Sequence, residues 1–221
     1  MEILFENDRY WVVRKPAGMV SEQDAGRGLA DLLAAQNGGY AGVIHRLDRE
    51  VSGLMLYAKT PDAAAWLSAL SRDGLLKKEY LAAVTGSPEE EAGELRDLLF
   101  YDRAKSKVFP VSRSRRGVKE AILRYRTEAT AECAGIGQVS LLAVEPITGR
   151  THQIRVQFAS RRHAILGDRR YGGPVLPAGT EKKELLLACR KIAFPEGDGM
   201  RVFSAEPDWK ALYFPSVAPK N

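Results

Sequence analysis

The stretch His45–Leu54, "HRLDREVSGL", sets a histidine and four charged residues against the small-residue turn Ser52-Gly53. That turn runs directly into the apolar segment Leu54–Thr60, "LMLYAKT". A polar turn closed by glycine and followed by an apolar run reads as a loop entering a buried strand. Asp48 lies between Arg46 and Arg49 at the mouth of that strand, and two readings follow. In a solvated loop the aspartate pairs with a neighbouring arginine, for about 0–1 kcal/mol. In a working loop the carboxylate is held ionised, as a nucleophile or a general acid/base.

Outward from this loop the chain is densely punctuated. "ILFENDRYWVVRKPAG", Ile3–Gly18, reads as two short strands joined at Asn7-Asp8 and closed by Pro16 and Gly18. "LADLLAAQNGG" reads as a short amphipathic helix stopped at Gly38-Gly39. "TPDAAAWLSALSRDG" has Thr60 as N-cap, Pro61 at the first helical position and Gly74 past the end. "KKEYLAAVTG", "KEAILRYRTE" and "GQVSLLAVEP" alternate as strands. "HQIRVQF" fits a strand or a helix, and Thr151 as a cap favours a helix. Strands outnumber helices and mostly follow one another. The expected architecture is α+β, a mixed, largely antiparallel central sheet flanked by helices, in a single domain over residues 1–221.

The bulk properties set bounds. A length of 221 residues and 45% apolar content suit a globular core. No apolar run approaches the ~20 residues of a membrane span. The acidic start, with Glu2, Glu6 and Asp8, is unlike a signal peptide. Cys133 and Cys189 are far apart and show no metal-ligand spacing, which favours a reduced, cytoplasmic protein without a metal or other cofactor. Nine Lys/Arg face two acids between Tyr101 and Arg126, and six arginines face Asp168 alone between Arg150 and Arg170. Such blocks suit a polyanion, although a charge run can equally be a solvated face.

Three places could carry chemistry. Asp48 is the first. Tyr80, on a strand ending in glycine, could pack in a core or offer a flat face to a base. "TGRTHQIR", Thr148–Arg155, gathers Arg150, His152 and Arg155, whose guanidinium groups suit phosphate or carboxylate. A metal-dependent phosphodiesterase built on His45, Asp48 and His152 would need more ligands than the spacing supplies. Taken together, a buried carboxylate needing a cation, an arginine and an aromatic face in a basic protein suggest chemistry on a single nucleotide.

"HRLDREVSGL", "KKEYLAAVTG" and "PITGRTHQIRVQFASRRHAILGDRRYGG", with the opening "ILFENDRYWVVRKPAG", resemble in order the motifs of the RluA-type pseudouridine synthase family. The resemblance runs from about Ile3 to Pro207. It implies a pseudouridine-synthase-like catalytic fold with a central basic cleft, and isomerisation of uridine in a ribosomal or transfer RNA stem-loop. It also implies an Asp48 nucleophile attacking ribose C1′ or base C6 of a flipped-out nucleotide, Tyr80 stacked on the base, and Arg155 paired with the aspartate. Arg46 corresponds to a position whose side chain enters the RNA stack, and the expected further RNA contacts are His45, Arg150, His152, Arg161, Arg162, Arg169 and Arg170. RNA is the expected partner, with no membrane and no obligate protein partner, and the chain is expected to act as a monomer without a separate N-terminal RNA-binding module. Val51 stands where the family usually has threonine, Ala188 where histidine is common, and "VSEQDAG" replaces the usual His-Pro, all bearing on substrate choice. A catalytically silent RNA-binding assembly factor is the alternative, against which the retained Asp48, Tyr80 and Arg155 argue.

Overall fold

The structure is a computed structural model that describes residues 1–176 and 184–214, the side chain of Leu212 excepted. The last residues of the Trp- and Pro-containing tail lie outside the described residues. The chain divides into two compact units, Met1–Glu79 with Ala188–Pro207, and Tyr80–Leu187 with Asp208–Asn221.

In the first unit, β1 (Glu2–Glu6) and β2 (Tyr10–Lys15) form an antiparallel pair. Asn7 makes the turn, its Oδ1 accepting the N–H groups of Arg9 and Tyr10 at 2.8 and 2.9 Å. β2 pairs antiparallel with β4 (Ser52–Ala58), which the two-residue β3 (Gly42–Val43) also joins. On its other side β4 meets β10 (Leu187–Glu196) in parallel, and β10 pairs antiparallel with β11 (Gly199–Ser204). β4–β10 is parallel and the other pairs named here are antiparallel, so the sheet is mixed but largely antiparallel.

Two helices accompany these strands, α1 (Leu29–Gln36) and α2 (Pro61–Arg72). The α2 start is as the sequence predicts, with Thr60 Oγ1 accepting the Ala63 N–H at 3.2 Å and Pro61 inside the first turn. Ala63 and Leu67, one turn apart, form its buried stripe. The α1 entrance is organised by Asp31, whose Oδ2 accepts the N–H groups of Asp24, Gly26 and Gly28. Those three donors hold the Asp31 pKa below the ordinary range. Tyr10, Trp66, Phe194 and Phe203 build an aromatic cluster, and the Tyr10 hydroxyl donates to Glu196.

The second unit is an antiparallel run. β5 (Lys77–Thr85) pairs with β9 (Gly137–Pro146), β9 with β8 (Val118–Cys133), β8 with β6 (Ala92–Asp102), and β6 with β7 (Lys107–Val111). Among its described residues two helices complete it, α3 (Gln153–Ala159) and α4 (Asp208–Tyr213). Leu99, Val108, Ala121 and Val156 bring β6, β7, β8 and α3 to one buried cluster. The architecture is α+β, as expected.

The α3 start differs from expectation. The N-cap is His152 in the left-handed conformation (φ 51°), not Thr151, and no side chain caps the helix. Gln153 organises the approach instead: Oε1 accepts from Arg150 N–H and Thr148 Oγ1, and Nε2 donates to Ile122 O.

Candidate active site

Asp48 sits, half-buried, in the loop between β3 and β4 of the first unit, and its carbonyl accepts the Val51 N–H at 3.0 Å. The loop is strapped at several points to the segment after β2. Ser21 Oγ donates to Leu47 O and accepts Leu47 N–H, at 2.9 and 3.1 Å. Gly18 N–H donates to Arg49 O, and Arg49 Nε donates back to Gly18 O.

At the centre of these straps is Lys15, fully buried, a residue the sequence reading did not single out. Its Nζ donates to the carbonyls of Pro16, Met19 and Arg49 at 3.0, 2.8 and 3.2 Å. Burial pulls its pKa down to about 8, while the negative charges of Asp48 and Glu50 work the other way. The loop that carries Asp48 is therefore tied, through Arg49 O, to a buried ammonium. A lysine followed by "PAG" was the available signal, since a proline and glycine turn folds the backbone around the preceding side chain.

Behind the loop, Gly53 has φ +116°, and a Cβ there would stand 2.3 Å from the carbonyl oxygen of Cys189 on β10. The glycine the sequence assigned to a sharp entry into β4 thus also permits the close parallel approach of β10. Val51 is buried, an environment that suits its methyls better than a threonine hydroxyl.

His45, expected as an RNA contact, has a structural task here. It is buried, and its Nε2 accepts the Leu56 N–H at 3.2 Å. Burial, reinforced by the nearby Lys78, pushes its pKa down to about 3, so it is neutral at ordinary pH. Arg46 by contrast is two-thirds exposed and ion-paired to Glu22.

In the second unit Tyr80 lies on β5 opposite Val144 and is 8% exposed. Arg155, in the first turn of α3, is 3% exposed. It makes a two-pronged ion pair with Asp168, Nε to Oδ2 at 2.8 Å and Nη2 to Oδ1 at 2.9 Å. Asp168 Oδ1 also accepts the backbone N–H groups of Arg170 and Tyr171. A buried cation of this kind requires such a counter-ion, and the bidentate geometry fixes the guanidinium plane. The sequence reading counted Asp168 only as the lone acid in a basic run and gave it no partner.

The other expected RNA contacts divide by their existing ties. Arg162, Arg169 and Arg170 are exposed, and the Arg170 guanidinium donates to Ser106 O. Arg161 holds Asp97 with both terminal nitrogens, at 2.8 and 3.2 Å. Arg150 Nε donates to Glu120 O at 2.8 Å, and His152 Nδ1 is 2.9 Å from the Tyr171 hydroxyl. Among the described residues no three His, Cys, Asp or Glu side chains are grouped as metal ligands. No described helix is long and apolar enough to cross a membrane.

Comparison with known proteins bears on what these parts do together. The family model described as RNA pseudouridylate synthase matches residues 9–160. Ribosomal large subunit pseudouridine synthase D of Zymomonas mobilis is 36% identical over 184 residues, 78% of this chain and 56% of that protein. Dual-specificity RNA pseudouridine synthase RluA of Escherichia coli is 30% identical over 213 residues, covering 94% of this chain and 93% of that one. The chain spans about half the length of several relatives it matches, 45–56% of three such proteins. The fold is shared with the structure named Human RNA Pseudouridylate Synthase Domain Containing 1, at TM-score 0.78 and 20% identity over 96% of this chain and 85% of that one. With a family model matching most of its length and a relative alike from end to end, the chain belongs to the RNA pseudouridylate synthase family.

Proposed function

We propose that this chain isomerises uridine to pseudouridine in structured RNA, a stem-loop of ribosomal or transfer RNA. The base is detached at N1, turned, and rejoined to the ribose through C5, whose hydrogen leaves as a proton. Asp48 is the nucleophile, at ribose C1′ or base C6. Tyr80 is the face on which the everted base stacks, and Arg155 is the cation that keeps the carboxylate charged. The two compact units serve as one catalytic domain, an assignment supported by a family match that runs across both.

The physical terms fit this division of work. Everting a nucleotide costs a few kcal/mol, and stacking on an aromatic ring returns about 1–3 kcal/mol of it. Arg46, exposed and held only by a surface ion pair, is available to fill the vacated place in the RNA stack. The observation that carries the reading is the family match over residues 9–160, a range that includes Asp48, Tyr80 and Arg155. As substrate class, RNA is supported by the names of relatives, ribosomal large subunit and dual-specificity RNA pseudouridine synthases. RNA is its partner, and it works as a monomer in the cytoplasm. The two free cysteines support a reducing compartment, and sedimentation checks the monomer.

The test is tritium release from RNA labelled at uridine C5. The intact protein releases it, and Asp48→Asn does not while still binding the RNA. Release by Asp48→Asn at the wild-type rate overturns the nucleophile assignment.

A further inference from the structure

Tyr171 stands where four elements of the second unit meet. Its ring packs against the cluster of Leu99, Val108, Ala121 and Val156. The Arg155 guanidinium carbon lies 5.4 Å from the ring centroid, and Lys107 Nζ lies 5.1 Å from it. Its backbone N–H reaches Asp168 Oδ1, the carboxylate that holds Arg155. Its hydroxyl accepts the Val108 N–H at 2.9 Å and is 2.9 Å from His152 Nδ1, the two rings meeting edge to face. One side chain therefore touches a proposed catalytic cation, a proposed RNA-binding histidine and the β6–β7 hairpin.

The hydrogen-bond inventory accommodates the direction proposed below, and the His152 tautomer decides it. A phenol has one proton to donate and lone pairs to accept with, and the Val108 N–H occupies one of them. The phenolic proton is then available to His152 Nδ1. A neutral imidazole that accepts at Nδ1 carries its own proton on Nε2. Burial raises the Tyr171 pKa, and Asp168 adds to the rise, against the Val108 N–H, Arg155 and Arg170. With Lys107 on β7 and His152 and Arg155 on the α3 side, these are the polar groups facing the phenol, which stays protonated at neutral pH. The Arg170 guanidinium, next in the chain, clasps Ser106 O in the turn between β6 and β7.

We propose that Tyr171 is a positioning residue for the pseudouridylation site: its ring supports the Arg155 guanidinium, and its hydroxyl fixes His152 as an Nε2–H donor for an RNA oxygen, tying both to the β6–β7 hairpin. The proposal rests on the function proposed above, so its test has one arm that needs no turnover. In the free protein, ¹⁵N spectra of histidine, with the His152 signals assigned from a His152→Gln variant, report which nitrogen carries the proton. Wild-type His152 is protonated on Nε2, and Tyr171→Phe, which keeps the ring, turns it into a mixture of tautomers. An unchanged tautomer in Tyr171→Phe overturns the hydroxyl's role.

The second arm measures the single-turnover rate on RNA labelled with tritium at uridine C5, with saturating protein. Misplacement of a catalytic group by a fraction of an ångström is costly, so Tyr171→Phe slows the step about tenfold or more at a wild-type melting temperature. Tyr171→Leu, which also removes the ring beneath Arg155, slows it further. A lowered melting temperature with an unchanged rate marks a merely structural tyrosine and overturns the proposal. Absence of tritium release by the wild type refutes the enzymatic reading instead, and the tautomer measurement then decides the role of Tyr171 alone.

Discussion

Around Asp48 the ties run through backbone carbonyls gathered on one buried ammonium, whereas around Arg155 they run through side chains. Lys15 holds three carbonyls and leaves the half-buried carboxylate in its charged neighbourhood. Arg155 is gripped directly by a carboxylate that is itself gripped by two backbone N–H groups. The difference matches the two tasks proposed for them. A nucleophile must reach another molecule, so its loop is fixed while its side chain is not enclosed. A supporting cation works by staying where it is, and a bidentate ion pair on a short helix keeps it there.

Three substitutions sharpen or break this contrast. Asp168→Ala leaves a buried guanidinium without its two-pronged partner, and unfolding by urea should show a loss of about 3–5 kcal/mol. A loss below about 1 kcal/mol, the value of an exposed pair, would mean that the Arg155 side is not held by this ion pair. Lys15→Met leaves three partly buried carbonyls without their donor, for a loss of about 1–3 kcal/mol at pH 7.

The Lys15 deficit depends on pH, with a definite sign. Burial pulls the pKa of the folded lysine down to about 8, below the 10.5 of an unperturbed lysine. Between these values the unfolded chain binds more protons than the folded one, so the lysine's contribution to stability rises with pH. The gap between wild type and Lys15→Met should therefore widen from pH 8 towards 10. A narrowing gap would show that the carbonyls hold the ammonium tighter than its burial weakens it. Smallest of all is the effect of Arg46→Ala on folding, within about 0.5 kcal/mol for an exposed pair, although RNA binding should weaken. Unchanged turnover and RNA binding would remove Arg46 from the recognition surface.

How much of this was legible follows the burial pattern of each element. β4 and α2 were readable because each has one kind of environment and clear punctuation, an apolar run after Gly53 and a Thr-Pro start before Gly74. The β6–β7 hairpin was not, since on β6 only Leu95 and Leu99 are buried, four apart rather than two, among exposed charges. Its sequence looks like a charge run for that reason. α3 was ambiguous because Gln153–Phe158 are all buried, and a helix covered on every side loses its period. The site shows the same division. Asp48, Tyr80 and Arg155 take roles from their motifs, whereas Lys15 and Asp168, which lie inside the same motif stretches, take none, because a buried charge is indistinguishable in sequence from an exposed one. His45 shows the same limit, since its burial and its Nε2 contact with a backbone N–H leave no mark in the sequence.

The parallel pairing of Ser52 and Gly53 with Ala188 and Cys189 has a consequence for the growing chain. As synthesis proceeds from the N-terminus, the strand that leads out of the Asp48 loop emerges early but waits for its neighbour until Ala188 and Cys189 have been added. Contacts so distant along the chain form slowly, because a long intervening loop must close before they yield any stabilisation. A nascent chain halted in that interval holds every residue of the Asp48 loop and lacks the wall behind it.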